Sequence, residues 1–342
     1  IGGSKMERRI FICCSITYIS LLMFKANWDV HNASIPPNDL GLAPQTDKKT
    51  VSANELDAIN SRILGPEEYA VGCPLNCGCR PTPTDCPRHY NVSDIKKSAS
   101  AVLDVKTSLY IAHRLEVQHI KAMQQCNASI GLESGGYCLS TRSVHDSLRL
   151  PDGRIIPIPN RHTRASERVG MVVTEIFKAE YVTSVSDFGA GVGQYGHFLK
   201  TNIPDLVYYG YDGAGDIESF THGFIRYADF THPLNLPVTE WVLSLEVGEH
   251  IPSKFEGMFI RNLHRHNCKG VILSWGVLGQ VGENHINLHS NEYIEKIFQE
   301  LGYDRDLIIE GDLRIRENNH KFFLNSAMIY RRKNPTCHQS AI

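Results

Sequence analysis

The chain reads VTSVSDFGAGVGQYG from Val182 to Gly196. Apolar residues run up to an acid, Asp187, and a loop with Gly189, Gly191 and Gly193 follows it. Glycine tolerates positive φ and lets a ligand come close to the backbone. A helix that begins after such a loop offers free N–H groups and a partial positive charge. This order predicts a strand, a tight turn and a helix start that together bind a nucleotide.

Two classes of nucleotide compete for this loop. The stretch from Gly191 to Gly196 matches G-x-G-x-x-G, and Asp212 lies about 20 residues further on, as a dinucleotide fingerprint requires. Asp187, however, stands at the end of the strand, where a carboxylate would repel a pyrophosphate. The same carboxylate would attract the ammonium and sulfonium groups of S-adenosylmethionine (SAM). We therefore favour SAM, and NAD binding is the alternative.

The downstream sequence offers further contacts for an adenosine. Residues 206–211, LVYYGY, predict a second strand that ends in Asp212, where an acid can accept hydrogen bonds from both ribose hydroxyls. The alternative is a turn aspartate before Gly213. Asp229 could accept from an adenine amino group with Phe230 beside the ring. Alternatively, these two residues are a solvated loop acid and a core phenylalanine.

Two more strands are predicted beyond these motifs. WVLSL, residues 241–245, leads into EVGEHIP at 246–252, and KGVILSW at 269–275 follows after a helix-like stretch. The tail segments 307–315 and 321–330 also carry strand-like residues, and 316–320 would connect them as a hairpin.

On these motifs, taken in this order, the region 165–333 resembles a class I SAM-dependent methyltransferase. The D-x-G-x-G-x-G loop is similar to the first motif of that family, and EVGEHIP is similar to its fourth. The resemblance implies SAM as cofactor and an α/β, Rossmann-like sheet of seven mostly parallel strands, flanked by helices, with the last strand antiparallel. The cofactor-binding residues that it implies are Asp187, Gly189, Ala190, Gly191, Gly193, Asp212, Gly213, Asp229, Phe230 and Glu246.

Candidate catalytic residues follow the fourth and fifth predicted strands. An acceptor oxygen must lose its proton during methyl transfer, so a histidine or carboxylate near the methyl group would help. Glu249 and His250 leave the fourth strand, and His285, Asn287 and His289 follow the fifth, at the sheet edge where open α/β folds bind ligands. We predict His250 or His285 as the general base, although either could only cap or pack. Several of these are metal-ligand types, but no spacing such as H-E-x-x-H is present, and we predict no bound metal.

The composition and net charge limit the classes of partner that the chain is expected to bind. The 342 residues carry 35 basic and 37 acidic side chains, a net charge of −2, so no electrostatic footprint for nucleic acid is present. Residues 10–24 are apolar and follow Lys5, Arg8 and Arg9, which predicts an uncleaved signal anchor within 1–28, with a cleaved signal peptide as the alternative. Residues 29–66 read as a polar stem.

The chain after the anchor is expected to lie in an oxidising lumen, and residues 67–164 are expected to form a cysteine-containing, partly helical region within it. Sequons begin at Asn32, Asn91 and Asn127. Six cysteines predict up to three disulfides, and the alternative is a zinc ion held by the first four of them, Cys73, Cys77, Cys79 and Cys86. The six are Cys73, Cys77, Cys79, Cys86, Cys126 and Cys138. Cys268 and Cys337, the latter in a tail of residues 334–342, are predicted to be a buried thiol and a tail thiol.

Three local predictions concern the same half of the chain. Residues 94–125, capped by Ser93, would form one long helix, residues 149–164 a loop, and residues 164–179 a helix that leads into the first strand. The apolar stripe expected on the long helix consists of Val102, Val105, Leu109, Ala112, Leu115 and Ile120.

The methyl acceptor is inferred only from this layout. An anchor, a stem and a lumenal catalytic domain are typical of Golgi enzymes that modify glycans, which favours O-methylation of a glycan or another hydroxyl of the secretory pathway. The chain would then be a type II membrane glycoprotein of the Golgi or endoplasmic reticulum, or a secreted protein. The alternatives are a lipid or quinone-like small-molecule acceptor, and an inactive module that binds SAM or a glycan.

Overall fold

The computed structural model describes residues 85, 88–128, 132–139, 143–160, 162–316 and 320–337. All of them fall in one unit of the chain, Ser52–Ile342. The predicted anchor and stem, residues 1–28 and 29–66, lie outside the described residues. Within the described ranges, no helix combines the length and the apolar character that crossing a membrane requires.

The helices and strands alternate along most of the described chain. The helices are α1 (Val92–Ser100), α2 (Val105–Asn127), α3 (Glu167–Ala179), α4 (Gln194–Asn202), α5 (Ile217–Phe220), α6 (Glu256–Arg265), α7 (Asn291–Leu301), α8 (Leu307–Arg316) and α9 (Phe323–Ser326). The strands are β1 (Val144–Arg149), β2 (Ile155–Pro159), β3 (Ser184–Phe188), β4 (Val207–Asp212), β5 (Ile225–Tyr227), β6 (Thr239–Ser244), β7 (Asn267–Ser274), β8 (Tyr303–Arg305) and β9 (Ala327–Arg332).

Seven strands form the central sheet in the order β5-β4-β3-β6-β7-β9-β8. Neighbouring strands are parallel except at β9, which runs antiparallel to both β7 and β8. The predicted seven-stranded, mostly parallel sheet with an antiparallel last strand is therefore confirmed. After β3, the strands β4 and β5 are added toward one edge of the sheet. After β6, all further strands are added toward the opposite edge. A ligand crevice is expected where the order reverses, at the carboxyl ends of β3 and β6.

Helices cover both faces of the sheet. On one face α6 and α7 bury Phe259, Leu263 and Phe298 against the strands, and Val92 and Ile95 of α1 join the same core. On the other face α3 and α8 pack against Trp241 and Ile329, among others. A sheet buried on both faces explains the nearly continuous apolar runs in its strands.

The predicted closing hairpin is wrong in its first half. Residues 307–315 form helix α8, and the strand that pairs with β9 is β8, at Tyr303–Arg305. Asp306 caps α8 by accepting the N–H of Ile309 at 3.1 Å. Glu310 then pairs with Arg314 one turn later, at 2.9 Å, and with Arg305 at 2.7 Å. The capping hydrogen bond and the ion pairs stabilise a helix here by more than the strand preference of its β-branched residues disfavours it. In the second half, β9 begins only at Ala327, after α9.

The predicted long helix is also divided. Residues 101–104 separate α1 from α2, and Asp104 caps α2 by accepting the N–H of Thr107 at 2.7 Å. Asn91, not Ser93, caps α1. The predicted stripe is largely wrong, since Val102 is 97% exposed and Leu109 60%. The other exposed members are Val105, Ala112 and Ile120, whereas the residues of α2 that are buried are Ile111, Ala122 and Cys126.

Part of the predicted loop 149–164 is regular structure. β1 and β2 form an antiparallel hairpin that buries Ile156 and Ile158. The prolines of β2 are tolerated because the pair is an isolated two-stranded ribbon with free edges. The following helix begins at Glu167, after the cap residue Ser166.

Two disulfides are present in the described residues. Cys126–Cys138 joins the end of α2 to the segment 132–139, as expected for the cysteines of that region. Cys268 and Cys337, predicted as separate thiols, are bonded to each other across 69 residues. Nothing in their spacing marks the pair, because sheet pairing brings them together. Cys73, Cys77, Cys79 and Cys86 lie outside the described residues.

Cys337→Ser is expected to lower the free energy of unfolding by about 2–4 kcal/mol, because the bond closes a long loop in the unfolded chain. Urea unfolding would measure this. The double variant Cys268→Ser/Cys337→Ser should match the single one if the pair is bonded. A single variant as stable as the wild type would contradict the bond.

Candidate active site

A cleft of about 340 Å³ opens at the carboxyl ends of the central strands. It gathers most of the residues that the sequence singled out, and they come from the ends of five separate strands. These are Asp187, Gly189, Ala190, Gly191, Asp212, Gly213, Asp229, Phe230, Glu246, His250 and His285. Gly193 is not in the lining but is the residue from which α4 begins. Glu249 lies fully buried beside His250 and His285.

The glycine loop has the backbone conformation that its sequence predicts. Gly189 has φ +79°, and a Cβ there would lie 2.2 Å from Cγ2 of Val247. The loop amides are already in use, since the N–H groups of Gly189 and Ala190 donate to the carbonyl of Tyr211 and that of Gly191 donates to Asp212. They are therefore poorly placed to bind an anion such as a pyrophosphate.

Asp212 holds the loop in place. Its Oδ2 accepts the N–H of Gly191 and its Oδ1 accepts the N–H of Ala214, each at 2.8 Å. Burial raises the pKa of Asp212, and these two donors offset only part of the effect. Each carboxylate oxygen can accept more than one hydrogen bond, so lone pairs remain for a ligand hydroxyl.

Asp187 is the second acid beside the loop. It is 2% exposed, and its Oδ2 accepts the hydroxyl of Tyr208 at 2.8 Å. Burial and, to a smaller extent, the charge of Asp212 together raise its pKa to about 7, although the hydrogen bond from Tyr208 opposes them. A cation in the cleft would stabilise the ionised form of both acids, whereas a phosphate would be repelled.

Asp229 is buried and is not the solvated loop acid of the alternative reading, whereas Phe230 is the core residue that this alternative expected. Oδ1 of Asp229 accepts the N–H and the hydroxyl of Thr231, at 3.0 and 2.6 Å, and its Oδ2 lies 3.7 Å from His232. Phe230 stacks on Phe188 at 5.0 Å between ring centroids, so it is a core residue that also lines the cleft.

Two segments of the cleft wall were missed by the sequence reading. Gln194 holds residues 162–165 over the loop, because its amide accepts the N–H of Ala165 at 3.0 Å and donates to the carbonyl of Thr163 at 2.9 Å. Residues 134–137 form another wall. A Cβ at Gly135 would lie 2.1 Å from the carbonyl oxygen of His250, so only glycine fits there. The Gly135-Gly136 doublet beside Cys138 was the available signal.

The acidic side chains after β6 differ sharply in their partners. Glu246, at φ +57°, accepts from Ser326 at 3.1 Å and from Gln280 at 2.9 Å. Glu249 is 0% exposed, and neither of its carboxylate oxygens has a hydrogen-bond partner among the described residues. Burial and the nearby charge of Glu246 raise the pKa of Glu249 well above its ordinary value.

The two candidate bases face each other. The rings of His250 and His285 lie 5.0 Å apart at 81°. Burial and His285 lower the pKa of His250 to about 4, which makes it a weak base at neutral pH. His285 contacts the carbonyl of Gln280 through Nδ1 at 3.3 Å. Of the two, His285 fits the role of general base better.

Asn287 and His289 do not join this group, contrary to the sequence reading. Both turn toward Glu256, with His289 Nε2 at 2.5 Å and Asn287 Nδ2 at 3.0 Å from its Oε2. Tyr90 and Tyr293 donate to the other oxygen at 2.6 and 2.7 Å. These buried polar groups satisfy one another and have no open face on the cleft.

No protein-family model matches the chain, and no curated protein sequence matches it. Solved structures that are similar to it include magnesium protoporphyrin IX methyltransferase (ChlM) from Synechocystis PCC 6803 with bound SAH, at 16% identity and a TM-score of 0.37, covering 50% of this chain and 90% of that one. The methyltransferase domain of bacterial CtHen1-C has 14% identity and a TM-score of 0.35, covering 48% and 97%. The plantazolicin methyltransferase BpumL, in complex with a triazolic desmethylPZN analog and SAH, has 12% identity and a TM-score of 0.37, covering 49% and 86%.

The sheet order, with its single antiparallel strand at β9, decides the fold class. The chain has the class I methyltransferase fold. In this methyltransferase fold one cleft is lined both by the glycine loop with Asp212 and by Glu246, His250 and His285. The first set of residues suits a cationic nucleoside, and the second set offers groups that can accept or transfer a proton.

Proposed function

We propose that the protein is a SAM-dependent methyltransferase. The observation that carries the proposal is the pair of acids, Asp187 and Asp212, beside a glycine loop whose amides are already hydrogen-bonded. SAM presents an ammonium, a sulfonium and two ribose hydroxyls, and all of these are stabilised by carboxylates. NAD presents a pyrophosphate, which this arrangement opposes.

The acceptor is proposed to be a hydroxyl group. His250 and His285 line the cleft beside residues 281–284, which are exposed, so an acceptor can enter there from solvent. Methyl transfer is an in-line displacement, and the protein supplies alignment and removal of the acceptor proton. Either imidazole can lie next to an acceptor oxygen, and the pKa of about 4 for His250 favours His285 as the group that takes the proton.

The acceptor class and the location are proposed from the sequence. The apolar segment 10–24, the polar stem, the sequons and the cysteines favour a lumenal enzyme of the secretory pathway that is attached to the membrane through its N-terminal segment. Cys126–Cys138 and Cys268–Cys337 support an oxidising compartment. A glycan hydroxyl is the acceptor that this layout favours.

SAM and S-adenosylhomocysteine (SAH) are expected to raise the melting temperature of the full chain, whereas NAD at the same concentration is not. A ligand that binds only the folded state stabilises it by about 2.7 kcal/mol at one hundred times its dissociation constant. A thermal-shift titration measures this. Stabilisation by NAD alone would overturn the assignment of the cofactor.

Incubation with labelled SAM and a glycan library tests the acceptor. Label in a glycan supports the proposal. If the protein binds SAH but transfers no label to glycans, lipids or quinones, it is a module that binds the cofactor without turnover. If the label appears in a lipid or a quinone, the acceptor belongs to that class and not to the glycans. Sensitivity of the expressed protein to peptide-N-glycosidase tests the lumenal location.

A further inference from the structure

One side chain that lines the cleft and a fully buried carboxyl group beside it have polar atoms that lack hydrogen-bond partners among the described residues. One ligand atom from each of Glu249, His250 and His285 lies within 4.8 Å of the other two. Both carboxylate oxygens of Glu249 and Nδ1 of His250 are buried without a hydrogen-bond partner among the described residues. Leaving such groups unpaired costs free energy, so native structures rarely retain them without a partner of some kind.

The backbone holds this group rigidly. Glu249 and His250 belong to a short 3-10 turn, Gly248–His250, which begins four residues after the end of β6 at Ser244. The carbonyl of Glu249 accepts the N–H groups of Ile286 and Asn287 at 2.9 and 3.0 Å, which fixes the segment that carries His285. These two hydrogen bonds join the loop that carries His285 to the turn that carries Glu249 and His250, which brings the three side chains together.

We propose that Glu249, His250 and His285 bind one divalent transition-metal ion. Two imidazoles and a carboxylate suit Zn²⁺, Mn²⁺ or Co²⁺ better than Mg²⁺ or Ca²⁺, which prefer oxygen ligands. Glu246, whose charge acts on Glu249, adds a second negative group nearby. The sequence reading predicted no metal because the third ligand comes from a separate loop and not from one helix, so no compact motif exists.

The role of the ion rests on the proposed function. An acceptor hydroxyl bound to the cation loses its proton more readily, because the positive charge stabilises the alkoxide. Because the imidazole of His285 is then a ligand, the ion replaces it as the group that promotes loss of the acceptor proton. The proton leaves to solvent, the new C–O bond forms at the SAM methyl carbon, and the bond from that carbon to sulfur breaks. SAH then leaves as a neutral thioether.

Binding of Co²⁺ tests the site without requiring turnover. The full chain is dialysed against a chelator and titrated with cobalt chloride, and binding is followed by calorimetry and by the visible absorption of the metal. The wild type is expected to bind one equivalent, and His285→Ala and Glu249→Gln should each weaken binding at least about tenfold. The matched controls His113→Ala and Glu116→Gln change side chains that are 72% and 73% exposed on α2, and they should bind as the wild type does.

A second measurement separates a ligand from a structural residue. Without metal, Glu249→Gln should be at least as stable as the wild type, because the amide has nearly the same shape as the carboxyl group and places no charge in the buried site. No cobalt binding, or equal affinity in the wild type and His285→Ala, would overturn the metal site. Cobalt binding without SAH binding would overturn the proposed function but not the site, and SAH binding without cobalt binding would do the reverse.

Discussion

Asp212→Ala is expected to weaken SAH binding at least about 100-fold, measured by isothermal titration calorimetry. The carboxylate has lone pairs left for two ribose hydroxyls, and a hydrogen bond to a charged group contributes about 1.5–3 kcal/mol. The same substitution frees the N–H groups of Gly191 and Ala214, which Asp212 now holds at 2.8 Å each. The loss therefore has two sources, namely direct contact with the ligand and the shape of the glycine loop.

An SAH analogue that lacks the ribose 2′-hydroxyl separates these two sources. If Asp212 binds the ribose, the substitution should cost less affinity for the deoxy analogue than for SAH, whereas a purely structural effect would be the same for both. Asp205→Ala is the matched control, because Asp205 is exposed before β4. Unchanged SAH affinity in Asp212→Ala would remove Asp212 from the binding site and contradict the proposed function.

The first half of the cleft could be predicted from sequence because its geometry is local. Asp187, the glycines and the start of α4 lie within a few residues of one another, and the positive φ values of the loop follow from glycine itself. Asp212 was also predictable, since β4 pairs with β3 in parallel and ends beside the loop. Parallel neighbours bring their carboxyl ends to one edge whatever their side chains are.

The second half depends on long-range packing, and sequence reasoning failed there in part. His285 and His289 occupy the same loop, yet one lines the cleft and the other is buried on Glu256. Residue type and spacing do not distinguish them. The bond between Cys268 and Cys337 was missed for the same reason. The division between α1 and α2, in contrast, had a readable signal in the capping residue Asp104.

Glu256→Ala is expected to lower the free energy of unfolding by about 3–5 kcal/mol, because it removes one member of a buried ionic network and leaves the others unpaired. The side chains of Glu256 and His289 are each 3% exposed. Urea unfolding measures the loss. Glu300→Ala is the matched control. It breaks a pair with Arg88 in which the carboxylate is 40% exposed, and it should cost less than about 1 kcal/mol.

The pH dependence of the unfolding free energy tests whether Glu256 stabilises the protein through its negative charge. Burial alone would raise the pKa of Glu256, but the hydrogen bond and charge of His289 and the hydroxyls of Tyr90 and Tyr293 outweigh it and hold the pKa below 4.5. A carboxyl whose pKa is lower in the folded state contributes stability above its unfolded pKa and loses it as the pH falls through the folded value. The stability gap between the wild type and Glu256→Gln should thus be present above about pH 4.5 and shrink as the pH falls below it. A gap that does not change with pH would show that Glu256 acts through packing and not as an anion.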